Sequence, residues 1–271
     1  MSNFVLEQFS LYIYGFCGID YSQNLSSLEN KIANRLKELG LSLWEYSGYV
    51  KMEKEEEDVL IELITVNETY FFRELNLLSE LQNVIFPQFK DRDKENPLRI
   101  WCAACSSGEE PYTLAMLLNE TTLFKEGSVK IIASDINKKV LGKAKNGLYN
   151  KKSFSFRKMP EGMIEKYFEE LEEDFKVKEG IRELIEFKHL NMFDDNVESL
   201  IGKVDIILCR NVLIYFDKEA IKKVVNTFYN VIKPKAYLFL GHSETITNIN
   251  SGFETVYTDS IFYYKKGENL I

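Results

Sequence analysis

The run from Leu98 to Met116, L-R-I-W-C-A-A-C-S-S-G-E-E-P-Y-T-L-A-M, constrains the fold more than any other stretch of the chain. Its apolar, β-branched and small residues from Leu98 to Ala104 read as a buried strand. The chain then turns through small residues at 105–108 into a helix whose first turn carries Glu109, Glu110 and Pro111. A strand, a tight turn and a helix start form a nucleotide-binding unit, because the first backbone N–H groups of the helix point at the ligand. Two carboxylates already stand at that end, so a pyrophosphate would meet like charge. A cationic ligand that carries a nucleoside fits better, and S-adenosylmethionine has that chemistry.

Length and composition bound the rest. A chain of 271 residues with 45% hydrophobic content buries one large α/β core and a small extra domain. With 34 basic and 42 acidic side chains the net charge is -8, which argues against binding nucleic acid through its phosphates. No apolar run reaches the roughly 18 residues of a membrane span, and the N-terminus lacks a basic region followed by an apolar block. A cytoplasmic protein is expected. Cys102 and Cys105 form a C-x-x-C, but a zinc site needs about four ligands and the only histidines are His189 and His242. Packing at a strand end is the better reading, and no metal is expected.

Residues 1–82 read as a helical domain. Leu28, Ile32, Leu36 and Leu39 recur at helical spacing, and Gly40 stops that helix. The stretch 83–96, with Pro87 and many charges, reads as a linker. From residue 97 to 271 strands and helices alternate, which implies a parallel sheet covered on both faces. Strands are expected at Leu98–Ala104, Val129–Ser134, Val204–Cys209 and Ala236–Leu240, with helices near 109–123, 137–146 and 218–232. Two final strands, Glu254–Tyr257 and Ile261–Lys265, are joined closely enough to put an antiparallel strand at or near the sheet edge. Residues from about 150 to 190 break the rhythm and read as an inserted subdomain.

Ligands in such sheets sit beyond the carboxyl ends of the strands. The loop at 103–110 is the first candidate. Asp135 follows the second strand, 27 residues after Gly108, where an acidic side chain either grips ribose hydroxyls or caps the next helix. Asn191 and Met192 follow the strand-like I-E-F-K-H-L and suit an adenine edge and face. Arg210, Asn211 and Tyr215 stand at or beyond the tip of D-I-I-L-C. Finally, T-V-N-E-T-Y-F-F-R-E gathers Asn67, Thr69 and Arg73 within the helical region. On a helix Thr69 and Arg73 share a face; the plainer reading is a capped helix with a surface cation.

Taken together and in order, T-V-N-E-T-Y-F-F-R-E, W-C-A-A-C-S-S-G-E-E-P-Y, A-S-D-I, C-R-N-V-L-I-Y-F and G-H-S-E resemble the CheR family of chemoreceptor glutamate methyltransferases over nearly the whole chain. The resemblance implies a Rossmann-like class I S-adenosylmethionine-dependent methyltransferase domain, a small all-helical N-terminal domain and an inserted small β-subdomain. It implies cofactor contacts from Asn67, Thr69, Arg73, Glu110, Asp135, Asn191, Met192, Arg210 and Asn211. Arg73 and Tyr215 are implied beside the methyl acceptor. The partners implied are the cytoplasmic helical domains of chemoreceptors, with no nucleic acid and no membrane insertion, and a monomer is expected.

Such a reaction needs no general base, because a glutamate with a pKa of about 4.3 is already ionised at neutral pH. The protein must supply position and limit water, with Arg73 holding the carboxylate and Phe71, Phe72 and Tyr215 as aromatic walls. Residues 1–75 hold 6 basic and 13 acidic side chains, so receptor docking is expected through the local pair Lys31 and Arg35. Between Phe168 and Phe187 only Gly180 is a glycine, so recognition without a receptor tail peptide is expected. Three other readings stay open. A nicotinamide dehydrogenase would want G-x-G-x-x-G, a non-catalytic sensor would need no acceptor-facing pair, and a methyltransferase of other proteins or small acids would keep the same cleft.

Overall fold

The computed structural model describes residues 3–249 and 251–268. Four helices open the chain: α1 (Asn3–Cys17), α2 (Leu25–Leu39), α3 (Leu43–Met52) and α4 (Lys54–Ile64). Leu28, Ile32 and Leu36 lie along one face of α2 and are buried in a cluster with Phe9, Ile13, Tyr46 and Leu60. Asn24 caps the start of α2 through Ser27 N, and Gly40 ends it at φ 66°. The charged run and the apolar run after residue 53 form a single helix, α4, because Glu56 turns inward to meet Arg35 and Tyr46.

The expected linker at 83–96 begins as packed structure. Helix α5 (Leu75–Glu80) continues as a π-helical turn over Leu81–Ile85 and a 3-10 turn over Phe86–Phe89. Leu77, Leu81, Ile85 and Phe86 are buried in the core of the α/β unit. That apolar periodicity outweighs the single Pro87, which sits in the first turn of the 3-10 segment and is tolerated there.

The main sheet has seven strands: β1 (Leu98–Ala103), β2 (Val129–Asp135), β6 (Ile185–His189), β7 (Val204–Cys209), β8 (Ile232–Leu240), β9 (Phe253–Tyr257) and β10 (Phe262–Lys266), in the order β6-β2-β1-β7-β8-β10-β9. The first five run parallel, and β10 pairs antiparallel with both β8 and β9. Alternate residues serve opposite faces. Ile100, Cys102, Ile206 and Leu208 pack toward α5 and α6 (Glu109–Thr121), whereas Trp101, Ala103, Ile207 and Cys209 belong to the cluster that holds Val197 and Val224. Helix α7 (Lys138–Asn146) follows β2.

The insertion is a three-stranded antiparallel sheet of β3 (Leu148–Asn150), β4 (Phe168–Glu170) and β5 (Asp174–Val177), with the short helices α8 (Met163–Tyr167) and α9 (Glu179–Arg182). It stops short of the expected boundary near 190, because Ile185–His189 pairs with β2 in the main sheet. The short helix α10 (Val197–Ile201) precedes β7, and α11 (Lys218–Val231) runs directly into β8. Strand β8 therefore starts at Ile232, four residues before the expected Ala236, with Lys235 in the left-handed region at φ 62°. No helix among the described residues is long and apolar enough to cross a membrane.

Candidate active site

The carboxyl ends of β1, β2, β6 and β7 meet the helical bundle around one cavity of about 460 Å³, within the size range of small-molecule sites. The ten site residues expected above, Asn67, Thr69, Arg73, Glu110, Asp135, Asn191, Met192, Arg210, Asn211 and Tyr215, all line it. What each side chain does there differs from expectation in several cases.

The turn after β1 is tight. Ala104 and Ser106 adopt positive φ, and Gly108 follows at φ 95° as the residue before α6. A Cβ on Gly108 would stand 2.8 Å from the Ala144 Cβ, so only glycine fits both the backbone and the approach of α7. The turn aims Ser106 N at Asp135 Oδ2, 2.7 Å away, while Asn137 N donates to Asp135 Oδ1 at 2.8 Å. Burial pushes the Asp135 carboxyl up, against these two bonds. Asp135 is not the helix cap, since Asn137 fills that place through Lys139 N and Val140 N. Each Asp135 oxygen keeps a lone pair for a ligand hydroxyl.

The other carboxylates at this helix start are separated in use. Glu109 turns away from the cavity and accepts from the hydroxyls of Ser107 and Ser155, both at 2.8 Å. Glu110 accepts from Arg210 Nη1 at 2.8 Å. Arg210 also donates Nη2 to the Arg73 carbonyl at 2.7 Å and pairs with Glu74 at 3.1 Å. Burial opposes the Arg210 charge, but Glu110 and Glu74 outweigh it and hold the guanidinium protonated. Arg210 is thus largely spent within the protein and works as a bracket for the Arg73 segment.

That segment is not helical. Residues 65–70 are irregular, and Phe72 and Glu74 adopt positive φ of 57° and 63°. Its backbone bonds go to distant partners: Ser106 Oγ donates to the Asn67 carbonyl, Phe71 N to the Ser155 carbonyl and Phe72 N to Thr113 Oγ1. Thr69 and Arg73 therefore share the cavity wall but not a helix face. Phe71 and Phe72 are 0% and 2% exposed and pack into the α/β core, so they are anchors and not walls of the cleft. Tyr215 lines the cavity as expected, and Tyr21, Tyr70, Phe193 and Phe216 complete the aromatic wall.

Asn191 is likewise consumed. Its Nδ2 donates to the Phe16 carbonyl at the end of α1, at 2.7 Å, and its Oδ1 accepts from Phe193 N at 3.0 Å. Asn211, at φ 61°, is held differently: its backbone N donates to Glu244 Oε2 at 2.8 Å. Val212 N and Gly241 N also donate to the Glu244 carboxylate, at 2.8 and 2.7 Å. A Cβ on Gly241 would come within 2.8 Å of Glu244 Oε2 and 3.0 Å of Asn211 N, so this clasp needs glycine. Glu244 is buried, and the only trace of it in the sequence is an acidic residue in G-H-S-E just past the strand ending at Leu240.

The bundle closes the cavity. After α1, Ile19 bridges to Phe216 and Asp20 N donates to the Tyr215 carbonyl at 3.1 Å. Tyr14 Oη donates to Asp217 at 2.9 Å, and Lys138 and Lys139 pair with Asp58 and Glu62 at 2.6 and 2.8 Å. Lys31 lines the cavity and donates to the Leu63 carbonyl at 3.3 Å. Arg35 forms a two-pronged pair with buried Glu56, at 2.9 and 2.6 Å. The expected docking stripe of Lys31 and Arg35 is therefore taken apart: one faces the cleft, the other braces the bundle.

Arg73 contrasts with Arg210. Its Nη1 donates to the Glu68 carbonyl at 3.3 Å and its guanidinium lies 5.5 Å from the Tyr70 ring. Among the described residues it joins no ion pair, since Glu68 pairs with Arg157 and Glu74 with Arg210. Burial raises the Tyr215 pKa while the nearby Arg73 charge pulls it down, so the phenol stays protonated and able to donate. Cys102 and Cys105 are buried thiols pushed up by desolvation, the opposite of reactive thiolates.

The description "CheR methyltransferase, SAM binding domain" matches residues 67–262. This chain belongs to the CheR methyltransferase family. A chemotaxis protein methyltransferase of Borreliella burgdorferi is 37% identical over 246 residues, covering 86% of this chain and 85% of that one. Chemotaxis protein methyltransferase 2 of Vibrio cholerae is 35% identical over 225 residues, covering 81% and 77%. One from Pseudomonas putida is 32% identical over 263 residues, covering 94% of each. The cofactor of the CheR domain is S-adenosylmethionine, and the cavity fits it. Asp20, Glu68, Glu110 and Asp135 face Lys31, Arg73 and Arg210 there, an excess of one negative charge. Asn211 Oδ1 is buried without a hydrogen-bond partner and faces a need for a donor.

Proposed function

We propose that this protein methylates glutamate side chains of chemotaxis receptors in the cytoplasm, acting on their helical signalling domains. Arg73 carries the reading. It is a guanidinium on the cavity wall with no carboxylate partner among the described residues, on the same cavity as the protonated Tyr215 phenol. Two-pronged donation is what an acceptor carboxylate needs to be held in one orientation. The relatives' names supply the chemotaxis context.

The bound donor supplies a methyl group on a positively charged sulfur, which an ionised carboxylate accepts without a general base. The protein's own part is positional. Asp135 and Met192 are assigned to the nucleoside, Asn67 and Thr69 to the inner wall, and Asn211, held by Glu244, to the amino-acid end. Arg210 and Glu110 act together, fixing the Arg73 carbonyl and hence the placement of the Arg73 side chain. Tyr215 donates to the acceptor beside Arg73. Closure by Ile19, Asp20 and Tyr21 from the bundle limits water around both charges.

The test is incubation with methyl-labelled donor and purified receptor signalling domain, followed by mild alkali. Release of the label as methanol is expected, because carboxyl esters hydrolyse readily. Alkali-stable label would overturn glutamate as acceptor, and donor binding without any labelling would point to a sensor.

A further inference from the structure

A second cavity of about 440 Å³ opens next to the active site. It shares Tyr70 with the first, and Glu74 divides them, pairing with Arg210 on one side and with His242 Nδ1 at 3.0 Å on the other. Its lining is largely apolar, from Phe72, Leu75, Leu77, Leu240, Ile261 and Phe262. Leu75 is 54% exposed, so the cavity opens to the surface and carries an apolar side chain at its lip. It lies where the tip of β8 meets the turn between β9 and β10, on the side of the sheet away from Asp135 and Asn191.

Charge marks the same rim. The chain carries a net charge of -8, yet Arg73 and Arg157 lie over the Tyr70 ring, and Lys158 lines the second cavity with Tyr70. Arg157 lies 3.8 Å over the Tyr70 ring and pairs with Glu68 at 2.8 Å. Lys158 is exposed, lines the second cavity and joins no ion pair among the described residues. A segment rich in glutamate finds complementary charge here, whereas residues 1–75 hold 6 basic against 13 acidic side chains.

We infer that this second cavity and its cationic rim seat the acceptor protein beside the reacting glutamate, with an apolar side chain of that segment in the cavity and an acidic one against Lys158. The inference rests on the reading of the acceptor given above. It adds a recognition site within reach of Arg73, so that docking and carboxylate positioning share one surface. Rim charges of this kind act mainly on encounter and on salt dependence.

The experiment is steady-state methylation of a purified receptor signalling domain by the full chain and by K158E, with calorimetric titration of S-adenosylhomocysteine on both. The expected result for K158E is a KM for the receptor raised about fivefold at low salt, with kcat and product affinity unchanged and the difference shrinking as salt is added. Leu75→Asn at the lip, which removes the apolar side chain without adding a charge, should raise KM in the same way without the salt dependence. An unchanged KM in both variants overturns the inference. So does sedimentation showing that either substitution instead breaks a self-associated form, which would make a second copy the occupant. Failure of the unsubstituted protein to label the receptor overturns the acceptor reading itself, and the two failures are told apart by that control.

Discussion

Strand β7 carries a buried charge cluster at each end, and the two are put to different uses. At its start Asp205, 2% exposed, is met by Arg92 at 2.6 Å, by Lys233 at 2.9 Å and by Arg99 N at 3.0 Å. The cluster ties the residues after α5 and the start of β8 to the sheet, and Asp205 lines neither cavity. Just past the other end Arg210, 8% exposed, lies between Glu110 and Glu74 and holds a backbone carbonyl as well. The first cluster has an excess of positive charge and is finished by the fold. The second has an excess of negative charge, borders two cavities and stands next to Arg73, a cation that joins no ion pair among the described residues. One strand thus shows that ion pairing alone does not mark a site; groups left open at the carboxyl end of the sheet do.

The largest effect that would sharpen this contrast is on catalysis. Arg73→Ala should lower methyl transfer by at least about a hundredfold, the scale expected when a reacting group loses its orientation, with an unchanged denaturation midpoint. Near-native turnover would break the contrast between Arg73 and the bracketing Arg210. Next comes Arg210→Met, which leaves Glu74 and Glu110 buried without their cation. Urea denaturation should show a loss of about 3–5 kcal/mol. At the other end Asp205→Asn removes one acceptor among partly exposed cations and should cost about 1–3 kcal/mol by the same measurement.

The smallest expected effect lies in the bundle, where Arg35 and Glu56 form a closed pair. The Arg35 hydrogen bonds outweigh burial and hold the Glu56 carboxyl below its ordinary value of 4.5. A lowered folded-state value means stability that is fully present above about 4.5 and lost as pH falls through the lowered value. Glu56→Gln should therefore flatten the acid limb of stability against pH, while leaving methyl transfer at neutral pH as it was. An acid limb as steep as in the unsubstituted protein would show that this pair is not the group being titrated.

The same contrast explains what was legible in the sequence. Strands such as Leu98–Ala103 and Val204–Cys209 are written in continuous apolar runs, and their tips follow directly, so pattern and resemblance together place Glu110, Asp135 and Arg210 on the cavity. The segment holding Asn67, Thr69 and Arg73 reads as helical in sequence, because its actual partners, Ser106, Thr113 and Ser155, are far away in the chain. No local pattern announces a backbone bonded at that distance. The roles of Asn191 and Arg210 shifted for a related reason: residue type suggested ligand chemistry, whereas the Phe16 carbonyl and two glutamates had already claimed their donors. Bundle residues Asp20, Tyr21, Asn24 and Ser27 joined the cleft without any signal of their own, since only the docking of α1 and α2 brings them there.

The most direct test of the account is calorimetric titration of S-adenosylmethionine against the unsubstituted protein, Arg210→Met and Asp205→Asn under conditions where all three are folded. The account predicts unaltered affinity for Asp205→Asn despite its lower stability, and at least about tenfold weaker binding for Arg210→Met, because the segment that Arg210 brackets carries Asn67 and Thr69 on the cavity wall. Equal affinities across the three, or equal losses in both variants, would contradict it.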